Sequence, residues 1–389
     1  MRFTRSLPVV AAATATLMAL VSGCEFGGDA QDTSDIFIGA DLEQSGVAAG
    51  VGKAYERALQ LKVDQVNASG VLGARRLRLK LMDNHSDPAS ALRNIVALAD
   101  DPTVTALITG SCGECVIGAA KTINDKTVPT ISLAAAREVS APVTERRFVF
   151  KLAPNALDSA AALATELERA GAKKAAILHT DDAYGRGGVE AMQAELTKAG
   201  IAAAGVASVK PTDTDLNQAV RKLTAGKPDA IVVWAPADQA GLAAGSARGA
   251  GYQGRLYYDA AAAGELFLSG PTAAAADNAT MVFTQTMVID DVIATTPAKA
   301  ARKQWFRDYT SRYGSYNGSA SFAADAVQLI VEAIGRVGTN RDRIREVLET
   351  SQVDGLSGPI RLTPDNHSGL MPQALAMLVV RSGRWRLAG

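Results

Sequence analysis

The chain has 389 residues, 48% of them hydrophobic, 21% charged and 5% aromatic, with 40 basic residues against 40 acidic. That length exceeds one ordinary hydrophobic core and predicts two domains. The composition excludes disordered, collagen-like and multi-spanning membrane chains, and zero net charge excludes a general nucleic-acid binder, which needs a basic surplus against phosphates.

Residues 1–23 read as an export signal. Arg2 and Arg5 supply a basic start, and Leu7 to Val21 form an uncharged apolar run, shorter than the ~20 residues a membrane-spanning helix needs. Val21-Ser22-Gly23-Cys24 resembles a bacterial lipobox, in which Cys24 would be acylated and become the new amino terminus. Two or three acyl chains anchor a protein stably, whereas one holds only marginally. Residues 24–35 are polar and Gly-containing, as a flexible tether requires. Loss of the signal leaves 38 basic and 40 acidic residues, a net charge of −2.

From Ile36 short apolar runs alternate with longer amphipathic ones. Strands are predicted at 36–40, 77–82, 104–109, 128–132 and 148–152, with helices at 50–67, 88–100 and 116–125 between them. The second helix has Asp87 as its cap and Pro88 in its first turn. A second set follows: helix 156–170, strand 175–179, helix 188–199, strand 205–209, helix 216–223, strand 230–234, helix 239–250 and strand 255–258. After Phe283 the pattern turns helical over 298–313, 322–337 and 342–350, and closes with strands at 360–362 and 375–380 before Trp385. Strands alternating with helices predict an α/β fold of two doubly wound parallel-sheet domains. Loops at the carboxyl ends of such strands are the default ligand sites.

Little in the sequence promises catalysis. His85, His179 and His367 lack partners at metal-ligand spacing and read as surface or loop-mouth residues. No metal or cofactor is expected. Gly249 to Gly254 matches the dinucleotide-loop pattern, but it follows a helix and precedes a strand, the reverse of what that loop needs, so it reads as a helix stop and turn. Cys112-Gly113-Glu114-Cys115 could be a redox pair, half a zinc site or a small structural disulfide. No second pair exists to complete a zinc site, and in an exported protein a local disulfide between Cys112 and Cys115 is the plain reading.

Eight stretches in order resemble the type I periplasmic binding proteins of the leucine/isoleucine/valine-binding family, the receptors of branched-chain amino acid ABC importers. They are IFIGADLEQSG from Ile36, ALQLKVDQVNASGVLGARRLRLKLMDNHSDPASALRNIVAL from Ala58, VTALITG from Val104 and VPTISLAAA from Val128, then RFVFKLAP from Arg147, KKAAILHTDDAYGRGG from Lys173, KPDAIVVWAP from Lys227 and GLSGPIRLTPDN from Gly355. The resemblance covers nearly all of 36–389. It implies two lobes joined by three hinge crossovers, an amino-terminal lobe of 36–153 and 286–357 and a second of 154–285 and 358–389, closing on a ligand between them.

The resemblance also implies site residues. The loop from Ser111 to Cys115, with Gly113 and Glu114, and the loop from Leu133 to Ala136, with Ala134 and Ala136, would hold the polar ends of an amino-acid-like ligand. Ala136 stands where a threonine is usual, and Glu114 where a serine is common; a carboxylate there suits a cation or donor better than a ligand carboxylate. Val51 stands where an aromatic is frequent. Tyr184 would cover the ligand from the second lobe, Trp234 would form an apolar wall and Asp259 would meet an ammonium. The function implied is that of a monomeric, lipid-anchored extracytoplasmic receptor, without catalytic residues or nucleic-acid partner, delivering a small polar or amino-acid-like molecule to an ABC permease. A ligand-sensing lipoprotein is the alternative, and a thiol oxidoreductase using Cys112 and Cys115 a more distant one.

Overall fold

The computed structural model describes residues 33–264 and 271–388. The export signal, Cys24 and all but the end of the tether lie outside the described residues. The first sheet comprises β1 (Ile36–Leu42), β2 (Leu77–Asp83), β3 (Val104–Thr109), β4 (Thr130–Ser132) and β5 (Val149–Lys151). All are parallel, in the order β2-β1-β3-β4-β5. Every residue of β3 is buried, as befits a central strand covered on both faces. The crossovers are α1 (Ala49–Ser69), α2 (Pro88–Asp100) and α3 (Gly113–Asp125). Asp87 caps α2 as expected, accepting the Ser90 amide, and α1 stops where Gly70 takes a left-handed turn.

The second layer runs α4 (Ala156–Arg169), β6 (Lys174–Thr180), α5 (Ala183–Lys198), β7 (Ala202–Val209), α6 (Asn217–Ala225), β8 (Ala230–Trp234), α7 (Ala237–Gly249), β9 (Arg255–Tyr258), α8 (Pro271–Ala275) and β10 (Thr280–Thr284). Then α9 (Pro297–Tyr313), α10 (Ala320–Val337) and α11 (Arg341–Leu348) return to the first sheet, with α10 packed on α1 and β3. α10 is buried along most of its length, because α1, α11 and β3 pack around it. β11 (Gln352–Asp354) and β12 (Pro359–Arg361) form a small ribbon. The hairpin of β13 (Leu375–Arg381) and β14 (Arg384–Leu387) adds antiparallel strands, giving the order β14-β13-β10-β9-β8-β6-β7.

Both sheets share one winding: in each, the first strand lies between the second and the third. Their switch points, between β1 and β3 and between β6 and β8, open crevices at the strands' carboxyl ends. The chain passes between the layers after β5, after β10 and after α11. Lys151 ties two of these passages together, since its buried ammonium donates to Ala135 O at 3.2 Å and Asn155 Oδ1 at 2.7 Å, and Asn155 also accepts from Ser368. Desolvation lowers the Lys151 pKa to about 8. Asp325 on α10 holds the turn between Asp354 and Pro359, accepting from Leu356 N at 2.7 Å, Ser357 N at 2.8 Å and Ser357 Oγ at 2.6 Å.

The pattern misplaces four features. β10 and β11 were not anticipated: the apolar run of β10 is only the three residues Met281 to Phe283, and β11 is three residues long. α5 starts at Ala183 rather than 188, because the Asp182 carboxylate caps the turn before the first apolar residues. The chain also leaves the first sheet after Leu370, later than 358, since Lys151 bridges Ser368 and Ile360 bridges Leu370. Finally, His179 and His367 are buried rather than at the surface. His367 stacks on Phe150 with ring centroids 4.3 Å apart, and its Nδ1 lies 3.0 Å from Val149 O.

Candidate functional site

A cleft of about 810 Å³ lies where the carboxyl ends of the two sheets face each other. Its first wall comes from the start of α1, from the amino terminus of α3 (Ser111, Cys112, Gly113, Glu114), and from Leu133 and Ala135 after β4. The second wall comes from the segments after β6 (Asp181, Asp182, Tyr184), after β8 (Trp234, Asp238, Gln239) and after β9 (Asp259). Phe283, Phe322 and Asn317 add lining from the passage between the layers. These positions are the two switch points and their neighbours, where doubly wound sheets leave room for a ligand.

On the first wall buried carboxylates gather nearby donors. Glu43, buried one residue beyond β1, accepts from Ser111 N and Cys112 N at 3.0 Å each and from Ser111 Oγ at 3.2 Å. Burial raises its pKa, opposed by the two loop amides. Asn84 Nδ2 donates to Asp41 Oδ2 at 3.0 Å, and Asn94 Nδ2 to Asp41 Oδ1 at 2.9 Å. Even so, desolvation lifts Asp41 to about 6. Cys112 and Cys115 form a disulfide across the first turn of α3, where Cys115 N also donates to Cys112 Sγ.

The second wall is different. Asp259 is 2% exposed; its Oδ2 accepts from Ala261 N at 3.1 Å, and its Oδ1 is buried without a partner. Burial holds its carboxyl well above the usual range, and the nearby Asp182 adds to the rise. The hydroxyl of Tyr184 and the Nε1 of Trp234 are likewise buried and unpartnered, and the two rings pack with centroids 6.2 Å apart. A Cβ on Gly188 would fall 2.1 Å from Trp234 Nε1, so the nitrogen edge of the indole is turned to α5.

Of the expected residues, Ser111, Gly113, Glu114, Tyr184, Trp234 and Asp259 all line the cleft. Ala134 and Ala136 do not. They are buried with Val116 and Ala119 of α3, and a Cβ on Gly113 would lie 3.1 Å from that of Ala136, so the alternation after β4 turns Leu133 and Ala135 to the cleft instead. Glu114 lines the cleft but spans it: its Oε1 accepts from Ala183 N at 2.6 Å, joining α3 to the first turn of α5. Ser111 gives both its polar groups to Glu43. Sequence reasoning missed Glu43, whose signal was an acid two residues after Asp41, on the same side of an otherwise apolar strand end. It also missed Lys53 and Arg57, the basic residues of the lining.

Among the described residues, acidic side chains outnumber basic ones around the cleft, apolar surface fills most of the rest, and no paired nucleophile and base stand in it. Among the described residues no group of three or more His, Cys, Asp or Glu is placed to hold a metal. Two facing α/β layers with a cleft at their shared switch points define a two-lobed solute receptor.

Comparison with known proteins agrees. The periplasmic binding protein family model matches residues 35–384. A Pseudomonas aeruginosa protein described as an amino acid binding protein is 23% identical over 219 residues, 55% of this chain and 58% of that protein. An extracellular ligand-binding receptor from Rhodopseudomonas palustris superposes with a TM-score of 0.82 at 24% identity, covering 91% of this chain and 99% of that one. A substrate-binding protein of an ABC transporter from Desulfitobacterium hafniense, solved with Leu, gives 0.75 at 20% identity, covering 91% and 100%. The chain belongs to the periplasmic binding protein family, of the leucine/isoleucine/valine-binding type. It is therefore a substrate-binding protein of a family that works outside the cytoplasm.

Proposed function

We propose that this protein is the lipid-anchored receptor of an ABC importer. It captures a small amino-acid-like molecule between two lobes that hinge at the three passages, and presents it to a permease. Acylation at Cys24 would keep it at the membrane surface. The observation that carries the reading is the pairing of the walls: one braced from beneath by buried carboxylates, the other holding a buried carboxylate oxygen without a partner. A buried acceptor of that kind is costly unless a donor arrives. The ligand's donor, an ammonium above all, is the natural partner of Asp259, and Tyr184 and Trp234 supply the apolar cover. Contacts made only when both walls meet the ligand would shift the hinge equilibrium toward closure.

A thermal-shift screen of amino acids, amino-acid amides, amines and polyamines against the mature protein tests this. The reading expects at least one member to raise the melting temperature in a dose-dependent way, and its binding to weaken in Asp259→Asn. A ligand whose affinity ignores Asp259, Tyr184 and Trp234 alike would place binding elsewhere.

A further inference from the structure

Glu114 stands in the first turn of α3, and its Oε1 accepts from Ala183 N, the first amide of α5, at 2.6 Å. The two helices belong to different sheets, so this bond crosses from one wall of the cleft to the other. An amide in the first turn of a helix has no partner inside that helix, and it lies at the positive end of the helix dipole. The start of α5 therefore needs acceptors. Asp182 supplies one from its own wall, taking Gly185 N at 2.7 Å, and Glu114 supplies another from across the cleft. Arg186, at the end of the same turn, has its Nη2 3.8 Å from that Glu114 oxygen. Ala183 and Tyr184 also pack against the first-wall cluster that contains Ala136 and Val139. The Cys112–Cys115 bridge closes the turn on either side of Gly113 and Glu114, so the carboxylate is presented at little cost in lost freedom.

We infer that Glu114 is a positioning residue, a latch that stabilises the closed cleft by capping α5 from the opposite wall rather than by touching the ligand. This rests on the reading of the two walls as a hinged clamp on an amino-acid-like molecule. Opening the hinge parts α3 from α5 and breaks the bond. The Glu114 side chain is already 42% exposed, so it returns to water easily and the latch is reversible. A contact made only in the closed form stabilises that form by the same amount whatever is bound. Its loss should leave capture by the open cleft unchanged and speed release.

The test is stopped-flow binding of leucine, leucinamide and phenylalanine to the mature protein, Glu114→Ala and Glu114→Gln, followed by tryptophan fluorescence. Glu114→Ala should release each bound probe about fivefold faster, the worth of a half-exposed hydrogen bond, with association within about twofold of wild type. Glu114→Gln keeps an acceptor without the charge and should release them about twofold faster. The factor should be common to all the probes that bind. Release unchanged in both variants, or an effect carried by association, overturns the latch and leaves the binding site standing. A factor that differs by more than about threefold between leucine and leucinamide also overturns it, since Glu114 would then be a ligand contact. A wild type that binds none of the three probes overturns the amino-acid-like reading and this inference together.

Discussion

The two walls of the cleft are built from the same winding, yet they end differently. The first is braced from beneath: Glu43 accepts from the Ser111 and Cys112 amides, Asp41 collects the side-chain amides of Asn84 and Asn94, and the Cys112–Cys115 bridge fastens the turn. The second leaves Asp259 Oδ1 and the Tyr184 hydroxyl without partners. Buried polar atoms are rarely left so unless strain or function holds them. The first wall is a platform and the second reads the ligand.

The largest effect should come from undoing the platform. Glu43→Ala orphans two loop amides and a hydroxyl, and should destabilise the fold by about 3 kcal/mol in urea denaturation. A loss below about 1 kcal/mol would mean that the loop finds other acceptors, and the contrast between the walls would fail. Asp259→Asn, on the reading wall, should behave oppositely. It replaces a buried carboxyl, one of whose oxygens has no partner, with a neutral amide, so stability should hold or rise, while binding of an amine-bearing ligand should fall by about tenfold to a hundredfold in calorimetry.

A pH profile separates the walls further. Asp41 is raised from 3.8 to about 6 in the folded state. Its carboxyl keeps a proton longer in the native protein than in the unfolded one, so its contribution is greatest below its unfolded value and is lost as pH rises through about 6. Asp41→Asn should flatten that segment of the stability curve, a change of up to about 3 kcal/mol. A slope unchanged in the variant would assign the titration to another group. The smallest effect belongs to the contact that spans the walls. Glu114→Ala releases the Ala183 amide and should alter ligand affinity by no more than about tenfold, with stability within about 0.5 kcal/mol of wild type.

Most of the architecture is legible in the sequence because local rules and tertiary context agree. The largely apolar β3 and the fully apolar β8 read as central strands, and Asp87-Pro88 starts α2 as its chemistry dictates. The elements that escape are those set by pairing across the chain: β11 exists because β12 returns beside it, and β10 because it fits between β9 and β13. The site is legible to the level of loops and not of side-chain direction. Ser111, Tyr184 and Asp259 fall in the cleft, whereas one step of alternation turns Ala134 and Ala136 to α3 and brings Ala135 forward. Glu43 was invisible because it acts beneath the loop rather than in it, through partners 68 and 69 residues away.

The central claim is that both walls meet one ligand in this cleft. Hydrogen exchange read by mass spectrometry, with and without the tightest ligand of the screen, tests it most directly. Protection should appear together in the Ser111–Glu114, Asp181–Tyr184, Trp234–Gln239 and Asp259–Ala261 segments. Protection confined to one wall, or centred on the outer groove at Arg221–Ala225 and Ala250–Gly254, would contradict it.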